Sequence, residues 1–383
     1  MSDDERRRRL AHRHLLLPEH RTGTVPEVAE ALVCLHSSDP VSVYLSAALR
    51  TTQPSLAAVG AALYDHRSLV RHHAMRRTIW VMTPDVAAAA HAGFTRKIAS
   101  AEFRASAKRF GRGETWWADA VDRVVAVVES AEEPISTRAV GARVPDLAEP
   151  IEINTRTSYA GTLAPHTRAL LQAGFEARVV RDRPAGTWLG SQYAWLSAGR
   201  RPEIAWDSHD EQAGATLIVE RWLERFGPGT LDDLAWWTGG TKTSIRRALD
   251  SIGADEVELD DGDVGFVLAG DVAAEETPEW VALLPGLDPT TMGWKRRSWY
   301  LPPDIEARVT DRNGNVGPTV WVDGRIAGGW AQRPDGSIVH DADLTAGQHD
   351  LLAIEVDRLQ HLVGDNRFTP RFPAPNQRRL LEE

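Results

Sequence analysis

At 383 residues, 42% hydrophobic and 26% charged, the chain reads as a soluble globular protein with room for two or three domains and a sizeable core. No apolar run reaches the ~20 residues of a membrane helix, and the lone cysteine, Cys34, excludes an internal disulfide or a cysteine-rich zinc site. Net charge is −10, yet residues 1–120 hold 17 Lys+Arg against 12 Asp+Glu, and 8 of the 13 histidines. A basic, histidine-rich first third on an acidic protein implies one surface that faces a polyanion. The opening stretch MSDDERRRRLAHRHLLLP lacks the apolar core and cleavage site of a signal peptide, so a cytoplasmic protein is expected.

In chain order, residues 1–17 read as an arm or first helix, with a charge run at Arg6 to Arg9. Val25 to Leu35 reads as a short amphipathic helix, followed by a helix over 40–50 and another from Leu56 to Leu63. Two short strands follow, 68–73 and 77–82, with Ala74-Met75-Arg76 between them as a basic turn. Three short helices and two strands is the order of a winged helix, the turn being its wing. Residues 84–130 are expected to be helical around a loop at 110–113.

The order returns twice. A helix from 133 to 144, a loop over 145–161, a helix over 166–173 stopped by Gly174 and strands 175–180 and 188–196 form a second unit. Helices 211–226, 231–238 and 242–252 and strands 256–260 and 264–268, joined by Asp261-Gly262-Asp263, form a third. Its recognition helix carries Lys242, Arg246 and Arg247, but its acidic wing would repel phosphates, which makes this unit structural. From Trp280 the pattern turns β-rich, with strands at 281–285, 307–309, 319–322, 325–331 and 337–339. Lys295, Arg296 and Arg297 lie between Trp294 and Trp299, an interleaving that suits base stacking or, equally, core tryptophans beside solvated cations. A helix over 344–362 and a Pro- and Arg-rich tail close the chain. The expected fold is α+β, mainly α, with tandem winged-helix units over 1–130, 131–205 and 206–278 and a C-terminal β-rich region over 279–383.

The chemistry is sought at His36-Ser37-Ser38-Asp39-Pro40, read as a corner between two helices. Asp39 before Pro40 is foremost a helix N-cap, Ser37 and Ser38 are ordinary corner residues, and Cys34 is a small buried hydrophobe. No phosphate-binding glycine loop, no H-E-x-x-H helix and no G-x-S-x-G elbow occurs. Asp65, His66, His72 and His73 make a poor metal set, because adjacent strand residues point to opposite faces.

The corner, the Met75-Arg76-Arg77-Thr78 strand entry, the Gly227 to Trp237 helix start, Leu283 to Asp288 and the Asn315 to Trp330 segment together resemble the AlkZ/YcaQ-like winged-helix DNA glycosylases, over most of the chain. The resemblance implies a concave scaffold that grips duplex DNA without metal or cofactor. Active members carry Gln-x-Gln or Gln-x-Asp where this chain has His36 and Ser38. A cationic alkylated purine is already a good leaving group, so the enzyme must orient a water and stabilise an oxocarbenium-like sugar. Neutral His36, with an ordinary pKa of about 6.5, would accept the water's proton, with Ser38 and Asp39 assisting, and activity would fall in acid. Arg50, Arg71, Arg76, Arg77, Lys97, Lys295, Arg296 and Arg297 are the expected DNA-binding residues. The function expected is a monofunctional glycosylase for alkylated bases, acting as a monomer on double-stranded DNA. The alternatives are a catalytically silent DNA-binding protein of the same fold, sensing lesions or regulating transcription, and a pure interaction scaffold.

Overall fold

The computed structural model describes residues 1–153 and 161–382. The chain folds as mixed helix and sheet, with 5-, 3-, 4- and 2-stranded sheets among the described residues. The helices at 25–31 and 40–48 begin where their caps dictate. Thr24 and Glu27 form a reciprocal capping box, and Asp39 accepts from the Val41 amide ahead of Pro40.

Between them the chain departs from expectation. Leu35–His36 is a strand, not the end of a helix. Val33 is left-handed (φ 61°), which ends the Val25–Ala31 helix early and turns the chain into the sheet. Leu35 pairs with Val81 and His36 with Trp80. The strands Val70–His73 and Ile79–Met82 then pair antiparallel as expected.

The hairpins of the first two units are not separate. Arg71 pairs with Arg181, which joins Val70–His73 to Val179–Pro184 and Tyr193–Ser197 in one five-stranded sheet. The expected strand 175–180 therefore lies several residues later, and the chain from Arg181 to Pro184 is strand rather than turn. Phe175 completes the Pro165–Phe175 helix, with Gly174 inside it; His73 packs where a Cβ at Gly174 would sit. The 145–161 segment holds a short helix, Pro145–Ala148, and paired strands Ile151–Ile153 and Gly161–Leu163; its middle, 154–160, lies outside the described residues.

The helices Glu211–Phe226, Leu231–Thr238 and Lys242–Ile252 and the hairpin Asp255–Glu258/Val264–Val267 form as read. In the C-terminal region the strands Val281–Leu284, Thr319–Val322, Arg325–Gln332 and Ile338–His340 form one sheet. The expected strand at 307–309 is instead the end of a helix, Pro303–Val309, which opens after Pro302 with Pro303 at its first position. The tail ends in a helix, Pro375–Glu382.

Several buried apolar clusters hold these elements, and one of them is far larger than the rest. It joins Leu10, Trp80, Trp222, Trp237, Trp294, Trp299, Tyr300 and Trp321 across elements hundreds of residues apart. Trp294 and Trp299 therefore belong to the core, which removes the base-stacking reading of the 294–300 stretch. No helix among the described residues is long and apolar enough to cross a membrane.

Candidate functional site

His36 is buried, 6% exposed, with its ring edge-on to Trp80 at 4.8 Å. Its Nδ1 has no hydrogen-bond partner among the described residues. Burial, reinforced by the positive charge of Arg76, pushes its pKa down to about 3. His36 is thus neutral throughout the physiological range, so protonation of its ring near pH 6.5, as the ordinary value implies, does not occur. A ring held that low is a weak base, so its chemistry is to accept a hydrogen bond that orients a water rather than to take up the water's proton.

Its neighbours divide between scaffold and site. The Ser37 Oγ accepts from Arg71 Nε at 2.8 Å. Ser38 is half-buried, and its carbonyl accepts from the Arg371 guanidinium at 3.1 Å. Asp39 is held by its cap: Oδ1 accepts from the Val41 amide and Oδ2 from the Arg371 amide, both at 3.0 Å. Burial raises its carboxyl above the ordinary range, and the two amides offset that only in part. Asp39 is therefore a structural cap first, as its place before Pro40 suggests, with no oxygen free of a backbone donor.

Two nominated cations lie in the interior, and their assignment as surface DNA contacts is corrected. Arg50 is 1% exposed and bidentate to Asp288, with both N–O distances 2.8 Å. Its remaining donors go to the Ser46 and His14 carbonyls and Thr290. Burial alone would raise the Asp288 carboxyl, but the charge and hydrogen bonds of Arg50 hold it below the usual carboxylate range. Arg71, equally buried, donates to Ser37 and the Tyr64 hydroxyl and lies 4.2 Å over the Tyr193 ring. It stiffens the corner from behind.

The other six cations reach the surface, and four of them have carboxylate partners. Arg77 pairs with Glu102 at 2.6 Å, Lys97 with Glu211 at 2.6 Å, Lys295 with Asp232 at 3.3 Å and Arg296 with Asp263. In the third unit Lys242 and Arg246 are likewise paired, with Asp232 and Glu256. Arg76 and Arg297 are different. Arg297 donates only to the carbonyls of Trp294 and Gly314. Arg76 has no ion pair among the described residues, and its buried Nε has no partner. Burial and the like charge of Arg297 lower Arg76 to about 10, so it remains cationic at neutral pH.

The turn that carries Arg76 is not a projecting wing. Met75 is fully buried, and the turn packs against the helices at 96–110 and 231–238. Arg76 and Arg77 are both left-handed, at φ 54° and 60°, a conformation costing roughly 1–2 kcal/mol per non-glycine residue. Gly239 (φ 71°) ends the Leu231–Thr238 helix against this turn; a Cβ there would stand 3.3 Å from Arg76 Cγ. The turn floors a groove of about 490 Å³ with Arg76, Arg77, Lys97, Phe94, Trp236 and Thr241 on its walls. Among the described residues no three His, Cys, Asp or Glu side chains are placed to hold a metal.

A model of the family "DNA glycosylase AlkZ-like" matches residues 29–362, nearly the whole span from the corner to the last long helix. The chain belongs to the AlkZ-like DNA glycosylase family. A Streptomyces sahachiroi protein named interstrand DNA cross-link repair glycosylase is 28% identical over 124 residues, 30% of this chain and 33% of that protein. The alignment thus spans only about a third of that relative's length. The structure of Streptomyces sahachiroi DNA glycosylase AlkZ superposes with a TM-score of 0.74 over 97% of this chain and 99% of that one, at 18% identity. The AlkZ-like fold is therefore shared nearly end to end.

Within this AlkZ-like fold, the sequence reading missed Tyr64 and Tyr193, which enclose Arg71, and Arg371, which seals the corner from the tail. It also missed Trp236, half-buried on the groove wall beside the buried Trp237. A Trp-Trp pair in a short amphipathic helix was the available signal: one ring can enter the core while its neighbour points away.

Proposed function

We propose that this protein is a monofunctional DNA glycosylase that excises alkylated bases, with tandem winged-helix units over 1–130, 131–205 and 206–278, the first providing the main hold on duplex DNA, and the β-rich 279–383 region bracing them. His36 orients the attacking water by accepting its hydrogen bond, Ser38 helps to hold it, and Asp39 fixes the start of the helix that positions both. The observation that carries this reading is the neutral His36 ring, whose Nδ1 has no hydrogen-bond partner among the described residues, at the corner where the resemblance puts the family's first glutamine. Membership of the AlkZ-like family supplies the reaction class. The name of the S. sahachiroi relative makes interstrand cross-links natural substrates to try, in repair or genotoxin resistance. Arg76, Arg77 and Lys97 are the proposed DNA contacts, with Arg297 beside them, and the protein is proposed to act as a monomer.

The test is single-turnover release of base from duplexes carrying N7- or N3-alkylpurines. His36→Ala should lower the rate about 100-fold, the cost of a misplaced reactant, while DNA affinity stays within twofold. Wild-type activity should stay flat from pH 8 to pH 5, because His36 keeps its neutral form well below that range. If neither wild type nor His36→Gln releases base from any such duplex, the silent DNA-binding reading replaces this one.

A further inference from the structure

Arg76 and Arg297 converge on one indole. Their guanidinium carbons lie 4.3 Å and 5.4 Å from the Trp236 ring centre. Neither has a carboxylate partner among the described residues, although Arg77, Lys97, Lys295 and Arg296 do. Two like charges are held together by a turn with two consecutive left-handed residues and by a glycine whose bare Cα lets Arg76 pass. Such an arrangement lacks an anion. The geometry points to a clamp for one unpaired nucleotide of bound DNA, its phosphate between Arg76 and Arg297 and its base against the Trp236–Arg76 stack.

Three features select this occupant. Paired guanidiniums suit the oxygens of a phosphate better than any single-point donor. A planar aromatic surface beside them suits a base, and base–aromatic stacking is indifferent to sequence. A base inside a duplex has both faces covered by its neighbours, so only an unpaired nucleotide can offer a face to Trp236. The groove on the Arg76 side of Trp236, which Arg297 does not line, is roomy enough for a nucleotide, and its walls carry Arg77 and Lys97, whose ion pairs with Glu102 and Glu211 can be exchanged for phosphates. The clamp adjoins the corner, since Trp80 touches both His36 and Arg76 at ring distances of 4.8 Å and 5.8 Å. This inference rests on the DNA-binding part of the proposed function, and it gives the groove a role separate from the chemistry at His36.

The experiment is fluorescence anisotropy with two labelled duplexes, one fully paired and one carrying a single-nucleotide bulge, over a range of salt. Wild type should bind the bulged duplex more tightly. Trp236→Ala should lose about five- to 150-fold on the bulge, the span of one base stack, and less than twofold on the paired duplex. Trp236→Phe should keep most of the preference. Arg76→Gln and Arg297→Gln should each flatten the log–log salt slope by about 0.9, one lost phosphate contact, on the bulged duplex. Equal losses on both duplexes with Trp236→Ala, or unchanged slopes with both glutamine variants, would overturn the clamp while leaving DNA binding intact. If wild type binds neither duplex, the DNA reading and the clamp fall together. Thermal melting of each variant separates misfolding from lost contacts, and Trp236→Phe provides a conservative control.

Discussion

Arg50 and Arg76 make an instructive pair. Both come from the basic first third, and each has a buried histidine at its side. His14 and His36 are both pushed down to about 3, first by burial and then by the charge of Arg50 or Arg76 respectively. Arg50 is locked to Asp288, 238 residues away, with every donor satisfied. Arg76 shares the Trp236 ring with another arginine, and neither has a carboxylate partner among the described residues. The difference lies in the counter-charge. A buried arginine with a carboxylate is scaffold, whereas a half-buried arginine without one retains its demand for an anion.

The largest way to break the comparison is to remove the counter-charge from the scaffold side. Asp288→Asn leaves Arg50 buried without its partner and should cost about 3–5 kcal/mol in urea denaturation. Replacing both members by apolar residues should cost far less, because no orphaned charge remains. Equal losses from the single and double variants would place the stabilisation in packing rather than charge.

The histidines test both sides together. His14, His36 and His91 are held at about 3, 3 and 4, and His72 and His73 well below 6.5, in each case chiefly by burial. Above pH 6.5 both folded and unfolded chains leave them neutral. Below it the unfolded chain takes up protons that the native state refuses, so stability should fall as pH drops from about 6.5 toward 4. The slope is about 1.4 kcal/mol per pH unit for each histidine. Urea midpoints at pH 7.5, 6 and 5 measure it. His36→Gln should flatten the slope, and an unchanged slope would mean that His36 is not held neutral.

Gly239→Ala sharpens the other side. An alanine at φ 71°, 3.3 Å from Arg76 Cγ, should cost about 1 kcal/mol or more and displace the Arg76 side chain. Denaturation should register the first effect, and weaker binding to duplex DNA the second. The smallest effect is expected at a cation that is already paired. Lys97→Ala breaks an exposed pair with Glu211 and should change stability by less than about 1 kcal/mol. It should also move the salt slope of DNA binding less than Arg76→Gln does. A larger slope change at Lys97 would erase the distinction between paired and unpaired cations.

Local signals in the sequence determined a good deal of this protein. The Thr24 and Asp39 caps, the Asp261-Gly262-Asp263 hairpin turn, the helices at 211–252 and most C-terminal strands follow from residue preferences that act over a few positions. Asp39 could be recognised as a cap because an N-cap is defined by its own next three residues. The motifs at the corner and at 283–288 carried the family resemblance, and the family match covers them both. Tertiary structure alone decided which cations are free. Asp288 neutralises Arg50, Glu211 neutralises Lys97 and Asp263 neutralises Arg296 from distant points in the chain, and burial, reinforced by the Arg76 charge, pushes the pKa of His36 down to about 3. The strand at Leu35–His36 was hidden for the same reason. Two residues have no period of their own, and only pairing with Val81 and Trp80 makes them a strand. Charge and burial are set by neighbours in space, and a sequence read locally holds the neighbours along the chain.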